Sequence, residues 1–239
     1  SGEDWNVYSW EQGVNLSGFW PQRGRDGTYR VYGFPAVKDS ASLYETNPDY
    51  LYLKNLAEQP DPESKQQVLS DISGSIDSGD LEGKEQYILD ILMRLATEAV
   101  LSPVYYNKLL VNDHPMIRLW AVNLIGKIGS FSIKPVLIQI LRHEWNPSVL
   151  AEAVLTSGEI ASDYDGSVTR ALREIIDRGR SRNDPQVLLA VVAALGKITD
   201  YHGFLPDPGT LESLFKLVTG DYPRDVRKSA LEVIRKMGK

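Results

Sequence analysis

The sequence contains three histidines, and histidine is the side chain that most often binds metals or moves protons near neutral pH. His114, His143 and His202 stand far apart in the chain, and no two of them have the one-turn spacing of a helical metal site. We therefore expect them at helix ends or in loops and predict no metal site. The chain also has no cysteine, which removes disulfides, zinc–thiolate sites and cysteine nucleophiles.

One loop carries carboxylates at a spacing that could bind a calcium ion. Asp163 and Asp165 stand two positions apart, and Glu174 occupies the twelfth position counted from Asp163. A calcium-binding EF-hand loop also needs a further ligand at its fifth position and glycine at its sixth, but Ser167 and Val168 stand there. We therefore expect the two aspartates to cap the helix that follows the loop.

The densest group of basic residues consists of Arg170, Arg173, Arg178, Arg180 and Arg182. The first two stand on one predicted helix, and basic residues of neighbouring helices could join them. The predicted partner-binding residues are Arg170, Arg173, Lys134, Arg142, Lys216, Tyr105 and Tyr106. The cations suit an acidic protein or peptide, and the tyrosines could add aromatic contacts. The alternatives are a solvated face with local Asp and Glu partners, and partial burial of the tyrosines.

Motifs that would indicate an enzyme do not stand out. We find no glycine-rich phosphate loop, G-x-S-x-G elbow or Ser/His/Asp arrangement, and we predict a non-enzymatic protein without a cofactor. The net charge of −6 argues against general nucleic-acid binding, which depends on clustered Lys and Arg. No apolar run approaches the roughly 20 residues needed to cross a bilayer.

The elements that would position these side chains come from a repeat. Residues 113–129 form one amphipathic pattern, and imperfect copies of it occupy residues 146–161, 184–199 and 224–238. Within each copy, apolar or small residues recur at steps of 4, 4 and 3, which places them on one helical face. Equivalent positions are 32, 38 and 39 residues apart, so each repeat has room for a second helix.

The limits of the repeated helices have local causes. Asn146 and Asp184 each precede a proline, the combination of a capping side chain and a residue that needs no N–H at the first helical position. Gly126, Gly158 and Gly196 recur at one position near the helix end. We expect each of these glycines to ease close packing or helix termination.

The stretches DHPMIR…LIGKIG, DPQV…LGKI and DVRKSALEVI resemble HEAT repeats, especially the short bacterial kind first noticed in phycobilin lyase subunits. The resemblance covers residues 113–239 well and 46–112 weakly. It implies an all-α fold, a right-handed α-α superhelix (HEAT-like solenoid), with the second helix of each pair on the concave side. It also implies a protein-binding scaffold. The alternatives are an enzyme subunit, either bilin-lyase-like or a HEAT-like DNA glycosylase, and a nucleic-acid-binding protein.

The chain divides by composition into two predicted parts. Residues 1–45 form an irregular aromatic-rich N-terminal extension with 9 of the 22 aromatic residues, and residues 46–239 form the helical repeat domain. We expect the extension to cap the first helices or to bind a partner, and we expect a short strand in residues 28–34. The start at Ser-Gly, the lack of cysteine and the aromatic extension favour an exported or periplasmic protein over a cytoplasmic one, while compartment and oligomeric state stay undetermined.

The same patterns predict about eleven helices. Apart from the four repeated ones, we expect them at about 47–57, 63–76, 84–100, from 102 onward, 132–143, 166–179 and 209–219. Asn47 opens the first of these, and Leu51 is one of its apolar residues. The helix from Ser102 onward is a second helix that carries Tyr105 and Tyr106, and the apolar residues of the last are Leu211, Leu214, Phe215 and Val218.

Overall fold

The computed structural model describes residues 21–23, 29–31, 46–160, 162–178 and 184–237. Most of the N-terminal extension, together with Arg180 and Arg182, therefore lies outside the described residues. Within the extension, Pro21–Arg23 (β1) pairs antiparallel with Tyr29–Val31 (β2), so the predicted strand is present. The remainder of the described chain is helical apart from one further hairpin, which confirms the all-α fold.

Ten α-helices follow in the described ranges, one fewer than expected. They are α1 (Pro48–Ala57), α2 (Pro62–Asp77), α3 (Glu85–Thr97), α4 (Pro115–Ile128), α5 (Lys134–His143), α6 (Pro147–Ile160), α7 (Ser167–Asp177), α8 (Pro185–His202), α9 (Gly209–Thr219) and α10 (Arg224–Met237). The chain forms two compact units, unit 1 (Ser1–Ile117) and unit 2 (Arg118–Lys239). The boundary predicted at residue 45 stays a prediction.

The described part of unit 1 is a group of three helices, α1 to α3, that contact one another. Asn47 caps α1 by accepting the backbone N–H of Tyr50 at 3.2 Å. Tyr50 is buried, and its hydroxyl donates to Asp90 at 3.2 Å. Leu51, which the pattern assigned to the apolar face of α1, is exposed, because the face that meets α3 passes through Tyr50.

The helix predicted from Ser102 onward is wrong. Tyr105–Tyr106 (β3) and Leu109–Leu110 (β4) form an antiparallel hairpin instead. The two residues between the strands, Asn107 and Lys108, both have positive φ, as a tight type I′ turn requires. Asn112 closes the base of the hairpin through bonds to the backbone of Ser102 and Val104.

Unit 2 consists of stacked helix pairs. The helices α4, α6, α8 and α10 are the repeated first helices, and α5, α7 and α9 are the second helices. α8 packs between α6 and α10, while α7 packs between α5 and α9, so first and second helices form separate layers. The predicted apolar face of the first helices is buried, as shown by Val149, Ala153, Val187, Val191 and Leu195.

The recurring glycines allow the first helices to approach one another. A Cβ atom added to Gly158 would lie 2.7 Å from the Cα atom of Ala194 on the next first helix. Gly126 and Gly196 face the following first helix in the same way, with more room. Their role is therefore packing, while Gly203, with a φ of +77°, ends α8.

Candidate protein-binding surface

The loop between α6 and α7 is organised by one buried carboxylate. Asp163 accepts the backbone N–H groups of Val168 at 2.9 Å and Thr169 at 2.7 Å, which are free donors at the start of α7. The ammonium group of Lys134 on α5 lies 3.0 Å from the same carboxylate. The capping role predicted for Asp163 is confirmed, and this carboxylate also connects α5 to the next repeat.

Asp207 repeats the arrangement one helix pair later. It is buried and accepts the hydroxyl of Thr210 at 2.9 Å, in the first turn of α9. Arg173 on α7 approaches its carboxylate to 3.2 Å and Arg170 approaches it to 3.7 Å. Lys134 and the two arginines thus occupy equivalent places, since each contacts the buried aspartate of the following loop.

The other predicted basic residues also have carboxylate neighbours. Arg142 on α5 makes two hydrogen bonds to Glu174 on α7, at 3.1 and 3.3 Å. Lys216 on α9 lies 3.5 Å from Asp177 and 3.2 Å from Glu212. All five predicted cations therefore lie in the second-helix layer, and each contacts a carboxylate. We call the exposed side chains of α5, α7 and α9 the second-helix face.

Hydrogen bonds, burial and neighbouring charges shift the pKa values of three side chains on this face. Burial alone would raise the pKa of Asp165, but hydrogen bonds from Lys134 and Ser167 hold it at about 2. The hydrogen bond to Glu212 raises the pKa of Lys216. Burial lowers the pKa of His143, and the charges of Arg142 and Arg178 lower it further.

The histidines lie at helix ends, as expected. His114 directly precedes α4, His143 ends α5 and His202 ends α8. Arg178, also from the predicted basic cluster, donates to the carbonyls of Leu141 at 3.0 Å and Arg142 at 2.8 Å, near the end of α5. It therefore satisfies backbone carbonyls at a helix C-terminus.

Two apolar side chains of the second-helix face are exposed, although the pattern placed them with the core residues of α9. The exposed fraction is 38% for Leu211 and 48% for Phe215, and the two are four residues apart on the same helical face. Leu214 and Leu217 fill the core instead. The register of α9 is thus rotated relative to the expectation, because Ser213 and Thr210 take buried polar positions.

The predicted tyrosine contacts belong to unit 1. Tyr105 and Tyr106 stand on β3 and not on a second helix, so that part of the expectation is wrong. Both side chains are exposed, as are Leu109 and Val111 on the other side of the turn. The hairpin is therefore an exposed apolar element, and the alternative that the tyrosines are partly buried in the core is excluded.

Four rings, one from the loop before α7 and three from the end of α8 and the residues after it, form a group that the sequence did not reveal. We call Tyr164, Tyr201, His202 and Phe204 the loop aromatic cluster. The His202 ring centroid lies 4.8 Å from Tyr164 and 4.9 Å from Tyr201, with both pairs nearly perpendicular. The tyrosine hydroxyl oxygens are 3.4 Å apart, and this hydrogen bond raises the pKa of the Tyr164 phenol. The sequence signal that could have predicted this cluster is the recurrence of ring side chains near the ends of two successive first helices.

A buried ion pair fixes the start of the second repeat. Arg118 donates to Glu144 at 2.8 and 3.2 Å, and both side chains are fully buried. Glu144 also accepts the backbone N–H groups of Trp145 and Asn146. The Trp145 ring covers the guanidinium group at 5.4 Å. These contacts connect α4 to the loop that leads into α6.

The described residues contain neither a cluster of metal ligands nor a helix that could span a membrane. In residues 46–160, 162–178 and 184–237, no group of three or more His, Asp or Glu side chains is arranged to hold a metal ion. Among the helices of this described part, none has the length and apolar character needed to cross a membrane.

Stacked helix pairs, with ion pairs between neighbouring repeats, define unit 2 as an α-helical repeat scaffold. Residues 135–235 match the family model described as HEAT repeats. This segment therefore belongs to the HEAT-repeat family, and the resemblance seen in the sequence is confirmed. Stacked repeats of this kind typically provide extended surfaces that bind other proteins. No curated protein matches the chain.

Proposed function

We propose that this chain is a non-enzymatic scaffold that binds a protein or peptide on the second-helix face of unit 2. The observation that supports the proposal most is the exposed pair Leu211 and Phe215. An apolar anchor surrounded by polar and charged groups is the usual composition of a protein-binding hot spot. Glu212 and Lys216 flank this pair on α9, and the paired charges of α5 and α7 continue the face.

The expectation of an acidic partner stays part of the proposal in a modified form. Each of the five cations already contacts a carboxylate, so an acidic segment gains their attraction only by displacing Asp or Glu. Arg170 and Lys216 are the best placed, since both side chains are about half exposed and Arg170 lies 3.7 Å from its carboxylate. We therefore expect charge to guide orientation, and Phe215 to provide most of the affinity.

The test compares capture of partners from the source organism by immobilised variants of the full chain. We expect Phe215→Ser to weaken binding of the captured protein by about tenfold or more, because truncation of a hot-spot residue costs about 2 kcal/mol or more. Leu155→Ser is the matched control, since Leu155 is an exposed apolar residue of the first-helix layer on α6. Equal loss in both variants, or loss only in the control, would move the binding site away from the second-helix face.

A second pair of variants tests the acidic partner. Arg170→Ala and Lys216→Ala should each weaken binding several-fold at low salt if the partner is acidic, and the effect should shrink at high salt. Unchanged affinity in both variants would show that the partner is not acidic and that the apolar pair on α9 carries the binding.

A further inference from the structure

The helix α10 concentrates positive charge in a chain that is acidic as a whole. It carries five basic and two acidic residues, so its net charge is +3, whereas the net charge of the chain is −6. Its buried residues are Val226, Ala230 and Val233, and α10 packs against α8 and α9. The side of α10 that faces away from this buried row is exposed to solvent.

The basic residues lie on this exposed side at helical spacing. Arg224, Lys228 and Arg235 are exposed, and their steps of four and seven residues place them in one row along the helix. The half-buried Leu231 lies in the same row, and the exposed Arg227 lies beside it. The row is about 16 Å long at a rise of 1.5 Å per residue. We call these five residues the α10 outer stripe.

Three arginines of the α10 outer stripe are not neutralised by the fold. Among the residues that the structure describes, no carboxylate lies within ion-pair distance of Arg224, Arg227 or Arg235, and Lys228 reaches Glu232 only at 4.0 Å. The five cations of the second-helix face, in contrast, each contact a carboxylate. The α10 outer stripe therefore offers guanidinium groups whose N–H donors are available to a ligand.

The acidic residues of α10 lie on a different side of the helix. Glu232 and Lys236 line the groove between α10 and α8, and Lys236 contacts Asp200 of α8 at 2.7 Å. Asp225 stands seven residues before Glu232 and therefore lies on the same side. The two signs of charge are thus separated, with the paired groups next to α8 and the unpaired arginines facing away from it.

The contacts between neighbouring first helices indicate what kind of partner fits the stripe. Glu159 of α6 pairs with Lys197 of α8, and Asp200 of α8 pairs with Lys236 of α10. A further helix with carboxylates one turn apart could contact the outer side of α10 in the same manner. Arginine is well suited to such contacts, since its N–H groups pair with a carboxylate through two parallel hydrogen bonds. Leu231 adds an apolar contact in the middle of the row.

We propose that the α10 outer stripe binds an acidic helical segment of a partner protein, with Asp or Glu side chains one turn apart and an apolar residue between them. The stripe is one helix wide and about 16 Å long, which is the size of three helical turns. The net charge of −6 opposes the approach of a long polyanion or an anionic membrane more than that of a short acidic segment. This site goes beyond the proposed function, because it uses α10 and not the second-helix face.

The test is the binding of a fluorescein-labelled, alanine-based helical peptide with one Glu in every turn and one central Leu, measured by fluorescence anisotropy with the full chain at low salt. We expect saturable binding that R227Q/R235Q weakens by about fivefold or more, because two ion pairs with the peptide are lost. K54Q/K84Q is the matched control, since it removes the same charge from unit 1 and should leave the affinity nearly unchanged. Phe215→Ser should also leave it unchanged, which separates this site from the proposed function. Thermal unfolding of each variant checks that the fold is retained.

Several results would overturn the proposal. The first two are a Glu peptide that does not saturate the protein and equal binding of the same peptide with Gln in place of every Glu. An equal loss of affinity in the control variant would show a response to net charge alone. Raising the salt from low to high concentration should weaken binding several-fold, so an affinity that does not depend on salt also counts against the stripe.

Two further arms separate the α10 outer stripe from other sites and other anions. A loss of peptide binding in R170A/K216A, with no loss in R227Q/R235Q, would place the acidic segment on the second-helix face instead. A labelled single-stranded oligothymidine, or vesicles that contain phosphatidylserine, should bind more weakly than the Glu peptide. If either of them binds through Arg227 and Arg235 while the Glu peptide does not, the stripe recognises phosphate groups and the proposed partner is wrong.

Discussion

Asp163 and Asp207 connect neighbouring repeats from equivalent places. Each is a buried carboxylate near the start of a second helix and contacts a cation from the preceding second helix. Asp163 accepts backbone N–H groups of α7, whereas Asp207 accepts the Thr210 hydroxyl of α9. A carboxylate at a helix N-terminus is also stabilised by the helix dipole. Each side chain therefore stabilises both a helix start and the stack.

Gly158 provides the first prediction at the residue scale. Replacing it by alanine should destabilise the protein by about 1–3 kcal/mol, because the new Cβ would lie 2.7 Å from the Ala194 backbone and overpacking is costly. Gly74→Ala is the matched control, since a Cβ at this α2 position meets nothing within 4 Å and should be neutral or stabilising. Urea unfolding measures both, and a Gly158→Ala variant as stable as the wild type would contradict the packing role.

Asp165 provides a pH-dependent prediction. Its pKa is about 2 in the folded protein against an ordinary value of 3.8, so its contribution to stability is present above pH 4 and is lost as the pH falls toward 2. The side chain is 42% exposed, and after solvent screening we expect a contribution of less than about 1 kcal/mol. Asp165→Asn should therefore flatten the decline of unfolding free energy between about pH 5 and pH 2. An unchanged acid slope would be inconsistent with the Lys134 contact.

At the scale of elements, most helices could be predicted because their limits are set by local chemistry. Asn47, Asn146 and Asp184 cap α1, α6 and α8 where the sequence indicated. The β3–β4 hairpin was missed because its turn contains Asn107 and Lys108, without the glycine that usually marks a type I′ turn. Ser102 followed by a proline resembled the start of a helix, and Leu109 and Leu110 resembled its apolar face.

The hairpin gives a prediction for this scale. Lys108 has a φ of +66°, a conformation that costs a residue with a side chain about 1 kcal/mol. Lys108→Gly should therefore stabilise the hairpin and slow hydrogen exchange of the Val111 amide, which donates to Val104 at 2.9 Å. Asn107→Val, with a β-branched residue at positive φ, should speed the same exchange. The opposite order of exchange rates would show that the turn is not type I′.

The candidate site was harder to predict than the helices, for a physical reason. The basic residues were found, but their partners stand about one repeat away in sequence, as in Arg142 and Glu174, which are separated by 32 positions. Neither composition nor periodicity shows which charges will meet. The exposure of Phe215 depends on how α9 is rotated about its axis. That rotation is set by the buried Thr210 and Ser213, and a pattern of apolar residues does not take buried polar residues into account.

At the scale of the whole molecule, unit 2 is a stack in which each repeat contacts its neighbours. Polar contacts repeat along the first helices, where Asn123 meets Glu152, Glu159 meets Lys197, and Asp200 meets Lys236. The free energy of unfolding of such an array is approximately the sum of the stability of each repeat and of the interactions between neighbouring repeats. A surface substitution such as Phe215→Ser should therefore alter binding without altering the stack, which makes the proposed function separable from folding.

The most direct test of the proposed scaffold is photo-crosslinking with a benzoylphenylalanine residue placed at one site in the full chain. At Phe215, on the second-helix face, the probe should crosslink a defined protein from the source organism, and an excess of the unlabelled chain should compete with it. At Leu155, on the first-helix layer, the same probe should give no such product. A crosslink that forms at Leu155 and not at Phe215 would contradict the account.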